Sequence, residues 1–278
     1  MLSGLLVYTK YDAEKNQAFI EQLLKEAESN GIKLTLSYRE ELYIGVENGK
    51  LYLRNAQGES MIKNFAIIRL IDPIFTRQLE LLSMKTFNSA VVAELCNDKA
   101  KTYQLASMMG IPIADTTYMA VDGQPPNRKY TNEFVSKNRF GRGGEEVYLM
   151  DATHVAQKVN SLTQQLGKKG RDVRAFVLGK EIISAVLRTN KGDFRANYSL
   201  GGEVTPHDLG EKERAIIAKL TNTFDFGLVA IDFIYNQQNE PLLNEIEDVV
   251  SPHELAGLTD IHVPALYLKH IKKILLKK

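Results

Sequence analysis

The chain has 278 residues, 44% apolar and 25% charged, which excludes disordered and fibrous classes and suits two domains or one large α/β unit with a sizeable core. Net charge is +1, from 35 basic against 34 acidic residues, so no basic excess argues for nucleic acid as the main partner. The single cysteine, Cys96, precludes an intramolecular disulfide and fits a reducing cytoplasm, and no run reaches the roughly 20 apolar residues that span a bilayer.

In chain order, GLLVY (4–8) reads as a buried strand. A helix from Ala13 to Ser29 follows, with Phe19, Ile20, Leu23, Leu24 and Ala27 on one face, and Asn30-Gly31 ends it. IKLTL (32–36) completes a βαβ opening. The Asn48-Gly49 turn inside LYIGVENGKLYLRN predicts a hairpin. FAIIRL (65–70) is a strand stopped by Asp72-Pro73, before a helix from about Thr76 to Lys85. Residues 1–92 therefore read as a small open α/β domain. Beyond it, Asn97 or Asp98 caps a helix through Met109, which Gly110-Ile111-Pro112 terminates. Asp122–Asn127 reads as a loop. FVSK and EVYLM pair across a glycine-rich turn, and a helix is expected near 153–159. DVRAFVLGKEIISAVLR gives two strands joined at Gly179-Lys180. A helix over 211–224, a hairpin over 228–247 and a last helix over about 262–277 complete the chain.

Three segments carry chemistry. Lys137-Asn-Arg-Phe-Gly141-Arg-Gly143-Gly144 lies between two strands. Glycines there let backbone N–H groups close on phosphate oxygens, with a lysine adding a point charge, although a flexible hairpin reads the same way. It is neither a P-loop nor a dinucleotide fingerprint, both of which lead into a helix. In LVAIDFIY and PLLNEIE, symmetric closure about Gln238-Asn239 sets Asp232 opposite Glu245, with Glu247 on the same face. Opposed carboxylates in apolar strands call for compensation by a divalent cation such as Mg²⁺, or else form a salt-bridged edge. Arg188, Arg195 and Asn197, with the Gly201-Gly202 pair, suit stabilisation of a phosphoryl group or form an ordinary polar loop.

Together these segments resemble the ATP-grasp superfamily, specifically its RimK-like carboxylate–amine ligases, in family order over most of 97–278. The resemblance implies an α+β ATP-grasp domain over 93–278, divided at about 166/167 into a subdomain with a glycine-rich lid and one with a metal site. NDKAKTYQLASMMGIP implies Lys99 as a phosphate contact, and FVSKNRFGRGGEEV implies Lys137 with the lid glycines Gly141, Gly143 and Gly144. Gln165 and Leu166 stand where the family clasps adenine. GRDVRAFVLG implies Asp172 at the ribose and Arg174 in the site. LRTNKGDFRANYSLGG carries over Arg188, Arg195 and Asn197 as catalytic residues, and VAIDFIY with LLNEIE carries over Asp232, Glu245 and Glu247 as metal ligands. ATP is the implied nucleotide, with one or two Mg²⁺ ions that Mn²⁺ replaces. The implied reaction joins a carboxylate to an amine, forming an amide through an acyl phosphate. The implied substrates are amino acids, peptides, proteins or small metabolites, with neither nucleic acid nor membrane, and homo-oligomerisation is left open. The chain departs from the family at Asn138, at Glu146, at the hinge, at Glu247 in place of asparagine, and in DVVSPHELAGLTD. A catalytically reduced nucleotide-binding scaffold is the alternative those departures suggest. Arg69 and Arg77 are candidate contacts for a substrate carboxylate or, more simply, surface arginines.

Overall fold

The computed structural model describes residues 2–118, 133–144, 146–151, 161–255 and 257–276. The expected loop at 122–127 and the expected helix near 153–159 lie outside the described residues.

The first sheet is parallel, in the order β2-β1-β5-β6. It comprises β1 (Leu2–Tyr8), β2 (Ile32–Tyr38), β5 (Phe65–Ile68) and β6 (Lys85–Phe87), and β3 (Tyr43–Glu47) and β4 (Lys50–Arg54) form the separate expected hairpin. Asn48 and Gly49 both have positive φ, the backbone a two-residue turn between twisted strands requires. Two helices stand where one was expected before Gly31. α1 (Lys10–Lys15) is capped by the Thr9 side chain, and the chain bends at Asn16 before α2 (Gln17–Ser29). Asp72-Pro73 starts a helix rather than only stopping a strand. The Asp72 carboxylate accepts the Phe75 N–H and Pro73 occupies the first turn of α3 (Pro73–Leu81), where its missing N–H costs nothing. The VVAELC run containing Cys96 forms α4 (Ala90–Cys96), and Cys96 is buried within it.

α5 (Lys99–Met108) begins at Asp98, whose carboxylate accepts the Ala100 and Lys101 N–H groups. An antiparallel sheet follows, in the order β7-β10-β8-β9, from β7 (Thr116–Tyr118), β8 (Phe134–Asn138), β9 (Val147–Met150) and β10 (Ser161–Gln165). The third sheet runs β13-β12-β11-β14-β15, from β11 (Arg171–Leu178), β12 (Glu181–Thr189), β13 (Glu203–Pro206), β14 (Leu228–Tyr235) and β15 (Pro241–Glu247). α6 (Glu211–Thr223) and α7 (Val263–Leu276) complete the elements. Among the described residues, no helix is long and apolar enough to cross a membrane.

The third sheet organises the molecule because its two faces differ. Val173, Ala175, Ile231, Phe233 and Ile246 pack with Ile216, Ile217 and Leu220 of α6. On the other face, Phe176, Leu178, Val186, Leu228 and Ala230 join Leu6, Phe65 and Ile67 of the first sheet and Tyr267, Leu268 and Ile271 of α7 in one core. Arg69 is therefore not a surface arginine. It is 3% exposed, donates 2.6 Å to the Val250 carbonyl, and stacks near Tyr8 and Phe19. Arg77 is exposed and paired with Glu80.

Candidate active site

Strand alternation continues the face of Phe176 and Ala230 towards the other end of the third sheet, where it turns polar. Asp172 is opposite Arg188, Arg174 is opposite Asp232, and Asp232 is opposite Glu245. Residues two apart share a face, so Glu247 joins them.

The Asp232–Glu245 pairing expected from sequence holds, but for a different reason. Next to the turn Tyr235 pairs with Pro241 and Phe233 with Leu243, a register that carried on would oppose Asp232 to Asn244. An irregularity between Asp232 and Phe233 inserts Asn244 as an extra residue and shifts the ladder by one. Because strand side chains have period two, that single residue decides which face Glu245 takes. Without it, Glu245 would enter the apolar face occupied by Leu243 and Phe233.

The polar end is an alternating charge array. Arg174 holds Asp232 through two hydrogen bonds of 2.8 Å, and Arg188 reaches Asp172 at 2.5 Å and Asp232 at 2.9 Å. The remaining guanidinium nitrogen of each arginine lies 3.4 Å from Glu254 Oε1, on the turn at Pro252–Leu255. Burial pushes the Asp232 carboxyl up, yet the two guanidiniums outweigh it and hold its pKa at about 2. Burial dominates at Glu247 and Asp172, and both are raised. Glu247 Oε2 is ion-paired at 2.9 Å from an Arg174 nitrogen but out of line for a hydrogen bond, so it is buried without a hydrogen-bond donor. Glu254 Oε2 is also buried and unpartnered. Among the described residues, no three acidic, His or Cys side chains are grouped closely enough to hold an ion, because the arginines lie between the carboxylates.

Facing this array are the lysines and the glycine loop. Lys137, on β8, is 5% exposed; its ammonium donates 2.8 Å to the Tyr103 hydroxyl and 3.0 Å to Asn244 Oδ1. Desolvation lowers its pKa to about 8. Lys99, at the start of α5, donates to the Gly141 carbonyl and lies 3.4 Å from Glu245 Oε1. Arg139 pairs with Asp98, and Arg142 donates to Asn97 Oδ1, so the loop's own arginines hold it down. Arg195 donates 2.9 Å to the Gly144 carbonyl. Gly144 has φ +80°, where any side chain is strained, and a Cβ there would sit 2.8 Å from Asn197 Oδ1, so a substitution would push that amide aside.

A cleft, open at its mouth, gathers most of the expected residues. Lys99, Lys137, Gly141, Gly144, Gln165, Leu166, Asp172, Arg188, Arg195, Asn197, Asp232 and Glu245 line it. Gly143, Arg174 and Glu247 do not, and Arg174 stands behind Asp232 as its partner. The sequence reading missed Tyr103, Asn244 and Glu254. Tyr103 reads as one more apolar residue of a helix, and Asn244 gains its role only through the shifted register. Arg171 and Ile234, inside the GRDVRAFVLG and VAIDFIY segments, also line the cleft.

The family model for the RimK-like ATP-grasp domain matches residues 96–266. The "Probable alpha-L-glutamate ligase" of Legionella pneumophila (strain Corby) is 27% identical over 286 residues, covering 91% of each chain. The "Glutamate--LysW ligase ArgX" of Sulfurisphaera tokodaii is 25% identical over 213 residues, covering 70% of this chain and 75% of its own. The solved structure of the ATP-grasp ligase PsnB, complexed with minimal precursor, Mg and ADP, superposes with a TM-score of 0.66 at 12% identity. It covers 97% of this chain and 96% of its own.

Proposed function

This chain belongs to the RimK-like ATP-grasp family of carboxylate–amine ligases, and we propose that it joins an amino acid to a peptide, protein or small metabolite through an acyl phosphate. The observation that carries the reading is the convergence of Lys99, Lys137 and Arg188 with Asp232 and Glu245 on one cleft. Lys137 is a buried cation whose described hydrogen-bond partners are both neutral, an arrangement that an anion in the cleft completes. The proposed division of labour places residues 1–92 as the domain that helps choose the substrate, 93–166 as the lid-bearing subdomain and 167–278 as the metal-bearing one.

In this reading Lys99, Lys137 and Arg188 hold the phosphates of ATP, and Asp172 contacts the ribose. Gln165 and Leu166 lie along the base. Gly141, Gly143 and Gly144 close over the phosphates and exclude water, with Arg195 and Asn197 gripping the far end of that loop. The substrate carboxylate attacks the γ-phosphate, ADP leaves, and the amine then displaces phosphate from the acyl phosphate. The protein contributes position and charge rather than a covalent nucleophile.

The donor chemistry suits magnesium, although Arg174 and Arg188 stand between the three carboxylates in this structure, in the place an ion would take. Asp232, Glu245 and Glu247 offer hard carboxylate oxygens, and Glu247 Oε2 is buried without a hydrogen bond. These three residues would hold the ion with the guanidiniums displaced from between them, and until then Arg174 and Arg188 keep Asp232 ionised. When bound, Mg²⁺ neutralises charge on the phosphates. The relatives' names point the substrate search to glutamate and to LysW-like or precursor-peptide partners, in a reducing cytoplasm that the lone buried Cys96 suits.

ADP and phosphate release, measured with MgATP over a panel of amino acids, short peptides and small proteins, tests the reading. Acceptor-stimulated release is expected. ATP binding without any such stimulation would instead identify a nucleotide-binding scaffold.

A further inference from the structure

Lys137, Tyr103 and Asn244 form a closed ring of hydrogen bonds. The ammonium donates to Asn244 Oδ1 at 3.0 Å and to the Tyr103 hydroxyl oxygen at 2.8 Å, while that hydroxyl donates 2.7 Å to the Asn244 main-chain carbonyl. The last bond commits the Tyr103 proton, so the hydroxyl oxygen is fixed as an acceptor towards the lysine. Asn244 therefore holds the ammonium twice, directly and through Tyr103. An ammonium has three donors, and with two engaged the third is directed by the geometry of the other two. Both Lys137 and Asn244 line the cleft.

The chemistry of the partners matters as much as their placement. A carboxylate at position 244 would cancel the lysine's charge and compete with an anionic ligand. An amide oxygen and a phenol orient the ammonium and leave its charge available. No carboxylate oxygen of the described residues forms an ion pair with Lys137, which is 5% exposed. The amide reaches this position because Asn244 is the inserted residue of the bulge, in a place where bulges redirect a side chain.

We propose that Asn244 is a positioning residue for the nucleotide: its amide oxygen, with Tyr103, aims the Lys137 ammonium at the phosphates without neutralising it. The proposal rests on the nucleotide reading above. The bulge thus serves both halves of the site, setting Glu245 opposite Asp232 and presenting Asn244 to Lys137.

A double-mutant cycle tests this, with MgATP binding to the full-length protein read by titration calorimetry and each variant's fold checked by thermal melting. Asn244→Ala is expected to weaken binding roughly tenfold, the worth of a hydrogen bond to a charged group. In a Lys137→Met background the same substitution should change affinity by less than about twofold, because its partner is gone. Asn244→Asp keeps the bond but cancels the charge, so it should bind more weakly near pH 7 and show a flatter profile between pH 7 and 9. A merely structural residue would lose affinity equally in both backgrounds, and such additive losses, or unchanged affinity in Asn244→Ala, overturn the proposal. Should Asn244→Ala fail to fold, Tyr103→Phe takes its place in the cycle. A native protein that does not bind MgATP overturns the nucleotide reading and this inference with it, whereas native binding that Asn244→Ala leaves intact overturns this inference alone.

Discussion

Asp232 and Glu247 occupy one face of the sheet, and burial raises both carboxyls, but only at Asp232 do the guanidiniums outweigh it. Asp232 is held at about 2 by Arg174 and Arg188, below its ordinary value, so its contribution to stability is present above about pH 4 and lost as pH falls through 2. Asp232→Asn leaves two buried guanidiniums short of a counter-charge. It should cost about 3 kcal/mol and abolish Mg²⁺-dependent turnover, measured by melting and by phosphate release. Glu247 is raised by burial, so its ionised form costs stability at neutral pH and that cost disappears as pH falls through the raised pKa. Glu247→Gln should therefore raise the Tm at pH 7, with the gain shrinking in melts at lower pH, while shifting the Mg²⁺ requirement. Lys137 adds a third pH signature. Phosphates favour its charged form, so MgATP affinity should be full below pH 8 and decline as pH rises through 8. A flat titration across that range would remove Lys137 from the phosphate site.

At the scale of elements, the glycine loop and the bulge do what regular strands do not. The loop is tied to α5 through Lys99 and Arg139 and to the Arg195–Asn197 segment through Gly144. Gly144→Ala adds a Cβ at φ +80°, 2.8 Å from the Asn197 amide. Its effect should be a several-fold loss of MgATP turnover with a Tm change equivalent to about 1 kcal/mol, because the strain falls on a loop and not on a core. Melting and steady-state kinetics on the same variant separate the two. The hairpin over 228–247 was legible as strands and turn, and so was the pairing of Asp232 with Glu245. The bulge that produces this pairing was not, because an inserted residue leaves no mark in a run such as PLLNEIE until the opposite strand fixes the count.

Across the whole molecule, the first sheet and the site-bearing sheet share one core, and polar bolts hold the seam. Asn88 donates to the Leu228 and Asp248 carbonyls at 3.1 and 2.9 Å and accepts the Gly227 N–H at 2.5 Å. Asn88→Ala would strand three buried main-chain groups and should cost about 3 kcal/mol or more, read as a fall in Tm. Turnover should fall with it, since Asp248 directly follows Glu247 and also accepts from Asn97 beside the loop.

The sequence by itself determined most of the strands (not β6, β7, β10 or β13), most helices, the family and the residue types of the site, because periodicity, turn chemistry and motif order are local properties of the chain. It also supplied twelve of the cleft-lining residues named above, from Lys99 to Glu245. Tertiary structure alone decided which charges offset which. Arg174 and Arg188 lie between the carboxylates read as a metal set, Arg69 is an internal bolt, and Asn244 and Tyr103 become the partners of Lys137. These are contacts between residues far apart in the chain. Their energy depends on burial and register, and both quantities exist only once the sheets have packed.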